Sequence, residues 1–374
     1  MKIVLNTTEP NAVASYAYIN ALKSIKNITI NDFNNYGDYD VALFLTYKND
    51  LKEIARVKKI YKKLKIGLID PRGSEVDSVL KFLDFLIVDS LEMKDFFSKY
   101  QLPIFYYYEY PNIFIENANK NKSKKTILGY HGNKLHLIGM YPKIFNAIEL
   151  LAKKYDLEFW ALYNHEKLGK LDFALPKGVE FRHIQWSEKN FKEILSQVDI
   201  GLVPSAMPIK NLTQIKNKSS YLSNAFNETD DDYLLRFKMP SNAGRIISFA
   251  FLQVPVIADL IPSSCQLIKD EYNGLLAYSS GGWYSAIESL ILDSDKRDRL
   301  INNMNKTKID YSFENQNSNF IKFLENICRI EKPESYIPIN LFKHRELNNI
   351  SKFKFNNYLN FFKKIILKFK NKYV

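Results

Sequence analysis

Short, uninterrupted apolar runs recur along this chain with room for one helix between them. That alternation limits the fold more than any other feature. KIVLN (2–6), DVALFLT (40–46), KIGLID (65–70), FLIVDS (85–90) and IFYYYEYP (104–111) occupy the first part. Segment 10–25 places Ala14, Ala17, Tyr18, Ala21 and Leu22 on one helical face. Segment 50–64 is a Lys-rich amphipathic helix, and LEMKDFFSKY follows the fourth run. Runs that are apolar throughout, rather than alternately, are covered on both faces. This predicts an α/β fold with a parallel sheet and crossover helices.

The pattern stops at NIFIENANKNKSKKT (112–126), which is polar and aperiodic and reads as a linker. It restarts with TILGYHGN (126–133), LEFWALY (157–163), VEFRHIQW (179–186), DIGLVPS (199–205) and VPVIAD (254–259), with helices expected over 138–154, 189–198, 242–252 and 282–293. The expected organisation is a Rossmann-like domain over 1–111, the linker 112–126, a second Rossmann-like domain over 127–330 and a tail over 331–374. Two such domains place a ligand in the cleft between them, at the carboxyl ends of the strands. Segment 206–237, with its Asp230-Asp231-Asp232 run, has too few apolar residues for a core and is expected to be an excursion beside the cleft.

At 374 residues, two domains are the natural expectation. The net charge of +12 suggests nucleic acid until it is localised. Residues 341–374 hold nine Lys/Arg against the one acid Glu346, which leaves the body near neutrality. No nucleic-acid partner is therefore expected. From Phe355, apolar residues recur at Tyr358, Leu359, Phe362, Ile366, Phe369 and Tyr373, with Lys363, Lys364, Lys368, Lys370 and Lys372 off the centre of that stripe. A basic amphipathic helix of this kind is expected to touch an anionic membrane surface, or to pack onto the first domain. Cys265 and Cys328 are the only cysteines, so a disulfide framework is not expected and a reducing cytoplasm fits. No run is long enough to span a membrane, and MKIVLNTTEPN does not read as a signal peptide.

One breaker stands out in a chain with 13 glycines: KMPSNAGRIISFAF, before VPVIAD. Ser241 is a good N-cap, so the N–H groups of Asn242, Ala243 and Gly244 would be the unpaired donors of a first turn, flanked by Lys238 and Arg245. Such a helix start favours phosphate, with lysine as a point charge and arginine as a fork. A plain capped helix with solvated charges would read the same way. Pro71-Arg72-Gly73-Ser74-Glu75 follows a strand and so faces the cleft, where Arg72 or Glu75 could touch an acceptor; a surface turn explains it equally well. Tyr106, Tyr107, Tyr108 and Tyr110 read as strand and hinge packing. The five histidines show no ligand spacing, so no metal is expected.

The order of these motifs resembles the carboxyl-terminal domain of GT-B glycosyltransferases, in the group related to glycogen synthase and the bacterial mannosyltransferases. That group's pattern is an apolar helix, Gly-x-Pro-Val-Ile-Ala, then Ile-x-Asp-x-x-x-Gly-x-Leu. Val254–Ala258, Ile268, Asp270, Gly274 and Leu275 match it, and Gln253 stands where Gly is usual. ILGYHGNKLHL looks like the same domain's first strand and loop, which implies that Gly132, Asn133 and Lys134 face the donor phosphates. The group's two glutamates, eight positions apart, would fall at Pro240 and Ser248, and neither is acidic. Asp270 and Asn273 are then the candidates for sugar or ribose hydroxyls, with a turn role as the alternative.

The resemblance implies a metal-independent glycosyltransferase that moves a sugar from a nucleotide-diphosphate sugar to a glycan or lipid-linked envelope acceptor. It implies no cofactor beyond the donor; the cysteine usage and the basic tail add the expectation of a cytoplasmic protein, peripheral at the inner face of the cell membrane. A nucleotide-sugar 2-epimerase and a non-catalytic nucleotide-sugar or glycan-binding subunit are the alternatives. The residues name no general base.

Overall fold

The apolar runs become the strands of a computed structural model that describes residues 1–71, 74–111, 113, 125–204 and 243–330. In the first part, β1 (Ile3–Asn6), β2 (Ile28–Ile30), β3 (Val41–Leu45), β4 (Lys65–Ile69), β5 (Phe85–Val88) and β6 (Ile104–Tyr106) form one parallel sheet in the order β2-β1-β3-β4-β5-β6. The helices between them are α1 (Val13–Leu22), α2 (Lys48–Ile60) and α3 (Leu91–Ser98). β2 escapes a sequence reading because ITI is only three residues long and lies half-buried on a sheet edge. IFYYYEYP is strand only through Tyr106. Beyond it Tyr107, Tyr108 and Tyr110 are buried as the chain leaves the sheet.

The second part repeats the scheme with β7 (Thr126–His131), β8 (Leu157–Tyr163), β9 (Glu180–Gln185), β10 (Ile200–Val203), β11 (Val256–Asp259) and β12 (Leu275–Ala277). Their order is β12-β11-β10-β7-β8-β9, again all parallel. The expected helix 138–154 is two helices, α4 (Lys134–Ile138) and α5 (Lys143–Leu151). α6 (His165–Leu168), α7 (Phe191–Ser196), α8 (Gly244–Phe251), α9 (Pro262–Leu267), α10 (Ser280–Leu292), α11 (Ser294–Thr307) and α12 (Phe313–Arg329) follow.

Both faces of the second sheet are covered. Leu128, Phe159, Leu202 and Ile257 pack on Phe145 and Ile148 of α5 and Trp283 and Ile287 of α10. Ile127, Leu162, Val203 and Ala258 pack on Phe191 of α7 and Ile246, Ile247 and Phe249 of α8. The alternation of these two sets along strands that are buried throughout is what made the runs continuously apolar. Gly201 matters here, because a Cβ on it would sit 2.7 Å from the Phe249 ring. Its absence lets α8 lie directly on β10.

α12 returns to the first sheet. Phe320, Leu324 and Ile327, spaced i, i+4 and i+7, join Ile3, Leu5, Val41, Leu43 and Phe85 in one core. Burying each of those three side chains contributes roughly 1.5–3 kcal/mol before ordering costs. The start of α12 also clasps the chain leaving β6. The Tyr108 N–H donates to Gln316 Oε1 at 2.7 Å, and Tyr107 Oη donates to Asn317 Oδ1 at 3.0 Å. The second domain expected over 127–330 therefore gives its last helix to the core of the first.

Both sheets lie in one compact unit spanning Met1–Ser98 and Leu102–Pro333. Lys99–Gln101 with Glu334–Val374 form a second unit, almost wholly outside the described residues. The excursion 206–237 and the basic stripe from Phe355 also lie outside them. Among the described residues no helix is long and apolar enough to cross a membrane. Both cysteines are free, and both are exposed despite their apolar surroundings in sequence.

Candidate functional site

In an open parallel sheet a crevice opens at the carboxyl edge where strand order reverses, because neighbouring loops there turn to opposite faces. In the second sheet that point lies between β7 and β10, at the loop His131–Gly132–Asn133 and at Pro204. Gly132 has φ +140°, and a Cβ on it would meet Arg245 Cδ at 3.2 Å and Tyr130 Oη at 3.0 Å. Arg245, in the first turn of α8, lies under this loop, its guanidinium 6.0 Å from the Tyr130 ring centre. It donates to the Pro204 carbonyl at 2.7 Å. One buried side chain thus ties the ends of β7 and β10 together. His131 is buried beside it, and burial, then the Arg245 charge, lowers its pKa to about 3. Its Nε2 has no hydrogen-bond partner among the described residues. The imidazole is therefore neutral at physiological pH.

The structure corrects several expectations here. α8 begins at Gly244 with Ala243 at its N-cap position, two residues later than a Ser241 cap would give. Lys238, Ser241 and Asn242 lie outside the described residues. Ala243, Gly244 and Arg245 are buried, so Arg245 is not a free fork at the surface. Gly132 and Arg245 are brought together, and Lys134 is drawn away from them. The Lys134 ammonium donates to the carbonyls of Leu168 and Lys170, each at 3.0 Å, and burial lowers its pKa. Asn133 caps α4, its Oδ1 accepting from the Leu135 N–H at 2.9 Å.

Asp270 and Asn273 are placed further still from the expected role. They precede β12 and so lie at the amino edge of the sheet, opposite the crevice. Asp270 Oδ1 accepts from the Leu276 N–H at 2.8 Å. The buried Asn273 accepts from the Lys269 N–H at 2.8 Å and donates to the Leu267 carbonyl at 3.0 Å. Both are turn residues. Residues that precede a strand lie at its amino end, so the chain order itself argues against the role once Leu275–Ala277 is strand. Ser248, at one missing acidic position, is fully buried and donates back to the Gly244 carbonyl at 3.0 Å within α8.

The acid at the carboxyl edge is Asp259, which closes β11. Its Oδ1 accepts from Lys143 Nζ at 2.7 Å and from Trp283 Nε1 at 3.2 Å. The sequence reading missed this group, although its position as the last residue of VPVIAD was a usable signal.

The first sheet reverses between β1 and β3. There Asp50, in the first turn of α2 and fully buried, accepts from the Thr8 N–H at 2.7 Å through Oδ1. Its Oδ2 has no hydrogen-bond partner among the described residues, and burial raises its pKa. Nothing in the sequence singled Asp50 out, since LKEIARVKK dominates its helix. Arg72 lies outside the described residues. Glu75 falls in a short 3-10 turn, Ser74–Ser78, with its side chain outside them.

The carboxyl edges of the two sheets meet. The Leu91 N–H, after β5, donates to Ser263 Oγ, after β11, at 3.0 Å, and Ser263 also bonds to Glu92 through Oγ and, at 3.4 Å, through N–H. Tyr108 Oη donates to Gln266 Oε1 at 3.2 Å. Among the described residues no three His, Cys, Asp or Glu side chains gather as a metal site would need.

Solved structures superpose on this arrangement of two parallel sheets. Anabaena Alr3699/HepE, solved in complex with UDP, superposes with a TM-score of 0.58 at 13% identity, over 87% of this chain and 100% of that one. The chain has the GT-B fold. Trehalose-6-phosphate synthase OtsA has the same TM-score, 0.58, at 11% identity over 88% of this chain and all of its own. No protein-family model matches the sequence. No curated protein matches it either. The GT-B likeness thus rests on the backbone and extends over 87–88% of the chain.

Proposed function

We propose that the protein is a glycosyltransferase that takes a nucleotide-diphosphate sugar as donor. The observation that carries this is the match, over 87% of this chain and all of the other, to a protein solved in complex with UDP, and with UDP and glucose. The crevice chemistry is compatible with it. An acceptor hydroxyl oxygen would attack the anomeric carbon, the bond from that carbon to the β-phosphate oxygen would break, and the diphosphate would leave with the electron pair. The acceptor proton would be lost as the new bond forms. In this reading the start of α8, whose Arg245 lies beside Gly132 and Pro204, would stabilise the charge that grows on the leaving diphosphate. Lys238, Ser241 and Asn242 belong to this reading as donor contacts. It assigns the diphosphate charge to protein groups, without metal or further cofactor.

The same reading places the protein in the cytoplasm, with a glycan or lipid-linked acceptor and with the basic tail 331–374 on an anionic membrane surface. Release of nucleoside diphosphate from a panel of UDP-, GDP- and ADP-sugars, with and without acceptor glycans, tests the activity. Liposome sedimentation of the full chain against one ending near Pro338 tests the membrane contact.

One observation favours a second reading, a nucleotide-sugar-binding subunit without turnover. Ser248 has its hydroxyl bonded inside α8, so nothing at that position replaces a ribose-holding carboxylate. Tight binding of a nucleotide sugar with no release of diphosphate from any donor would decide for it.

A further inference from the structure

The first sheet has a second concavity, at its amino edge, opposite the end where its crevice lies. Tyr36 and Tyr39 precede β3, Tyr61, Lys62 and Lys63 lead from α2 to β4, and Cys328 lies in the last turn of α12. Together they line an open cavity of about 470 Å³. Small-molecule sites occupy roughly 300–1,000 Å³.

The walls are fixed before any ligand arrives. The buried Tyr36 hydroxyl accepts from Asn6 Nδ2 at 2.7 Å, and its ring centre lies 6.0 Å from that of Tyr61. Tyr39 Oη donates to Asp32 Oδ2 at 2.9 Å. Asp40, the one acid among the described lining residues, already accepts from the Lys2 N–H at 2.7 Å. Helices α2 and α12 both end here, and helix carboxyl ends favour cations. Two lysines already meet carbonyls at these ends, Lys58 Nζ donating to Leu64 and Lys65 Nζ to Ile330, each at 2.7 Å. Lys62 and Lys63 are surplus to that need. Both are exposed, and neither has a hydrogen-bond or ion-pair partner among the described residues. The Tyr61 hydroxyl has no hydrogen bond among them either.

This lining selects its occupant. A pyranose ring offers a CH face to an aromatic ring and hydroxyls to phenols, whereas a fatty acid would need aliphatic walls. Two lysines without acids call for negative charge on the ligand. The described lining residues include no arginine fork, and two helix carboxyl ends repel a dianion, so the charge is a carboxylate and not a phosphate.

We infer that this cavity binds an acidic glycan, a chain of pyranose rings bearing carboxylates. Lys62 and Lys63 pair with the carboxylates, the tyrosine rings carry the sugar, and the Tyr61 hydroxyl bonds to it. The inference stands on the cavity alone, whatever reaction the crevice serves.

The protein carries its own reporters. Cys328 lines the cavity, Cys265 lies in α9 beside the second sheet, and both thiols are free and exposed. The full-length protein is labelled with a maleimide and each site is followed by mass spectrometry. The probes are a tetrasaccharide of alternating glucuronate and N-acetylglucosamine, and the same chain with its carboxylates reduced to alcohols. The acidic chain should slow labelling of Cys328 several-fold and leave Cys265 unchanged, while the reduced chain at the same concentration protects neither. Calorimetry should show the acidic chain binding about tenfold more weakly to Lys62→Ala/Lys63→Ala, and with unchanged affinity when UDP is present. Both substitutions are at exposed side chains, so the fold is kept. Equal protection by the two chains, protection of both thiols or of neither, full affinity in the double variant, or competition by UDP would each overturn the assignment.

Discussion

Gln253 and Asn305 exchange two hydrogen bonds, Nε2 to Oδ1 and Nδ2 to Oε1, each 2.8 Å, between the end of α8 and helix α11. Gln253 has φ +58°, in the left-handed region where a helix end favours glycine. The amide pair holds the glutamine in that conformation by tying it to a second helix. The departure from the Gly-x-Pro-Val pattern thus has a partner 52 residues away that no local reading reveals.

The pairing makes the two substitutions unequal. Gln253→Gly loses both bonds but relieves the backbone, and is expected to change stability by less than about 0.5 kcal/mol. Asn305→Ala keeps the strain and removes both bonds that Asn305 makes to the glutamine amide, at a cost of about 1–2 kcal/mol. Urea unfolding of the two single variants and the double variant checks this. Once Gln253→Gly is in place, adding Asn305→Ala should cost much less.

Arg245 supports the crevice from below, so its loss should register in stability before it registers in ligand affinity. Arg245→Ala removes the bond to the Pro204 carbonyl and is expected to cost about 2–3 kcal/mol. Gly132→Ala places a methyl against Arg245 and Tyr130 at a φ that side chains avoid, and should cost a similar amount. Denaturant titrations measure both. Calorimetry with UDP on the folded variants then separates a lost contact from a displaced loop.

His131 gives a pH signature. The folded protein holds it neutral down to about pH 3, while the unfolded chain protonates it near 6.5. A base with a depressed folded pKa loses stability as pH falls below the unfolded value. Between pH 7 and pH 5 this group should withdraw about 2 kcal/mol. His131→Phe should flatten that part of the stability profile, and thermal unfolding across the range reports it.

Asp50 works in the opposite direction. Burial raises its folded pKa above the unfolded value, so the native state holds the proton more tightly and loses stability as pH rises through that interval. Asp50→Asn keeps an oxygen for the Thr8 N–H and removes the buried charge. It is expected to stabilise the protein at pH 7, with the gain vanishing below about pH 4. Unfolding at both pH values decides it.

The sequence by itself determined the architecture. A strand buried on both faces must be apolar at every position, and a crossover helix must show a 3.6-residue stripe. KIVLN, DVALFLT, LEFWALY and VPVIAD therefore specify strands of two parallel sheets. A cleft at the carboxyl ends of the strands was expected from that architecture, whereas the switch points follow from strand order, which the tertiary structure supplies. What the tertiary structure alone decided is which side chains reach that crevice. Lys134 and Arg245 are polar residues in suggestive motifs, yet each meets a carbonyl brought to it by another segment, and a buried polar group takes the nearest partner. Asp259, Asp50 and the Glu92–Ser263 contact are set by the ends of strands and the meeting of two domains. Local spacing encodes the period of an element, whereas the partner of a polar atom depends on chain far away in sequence.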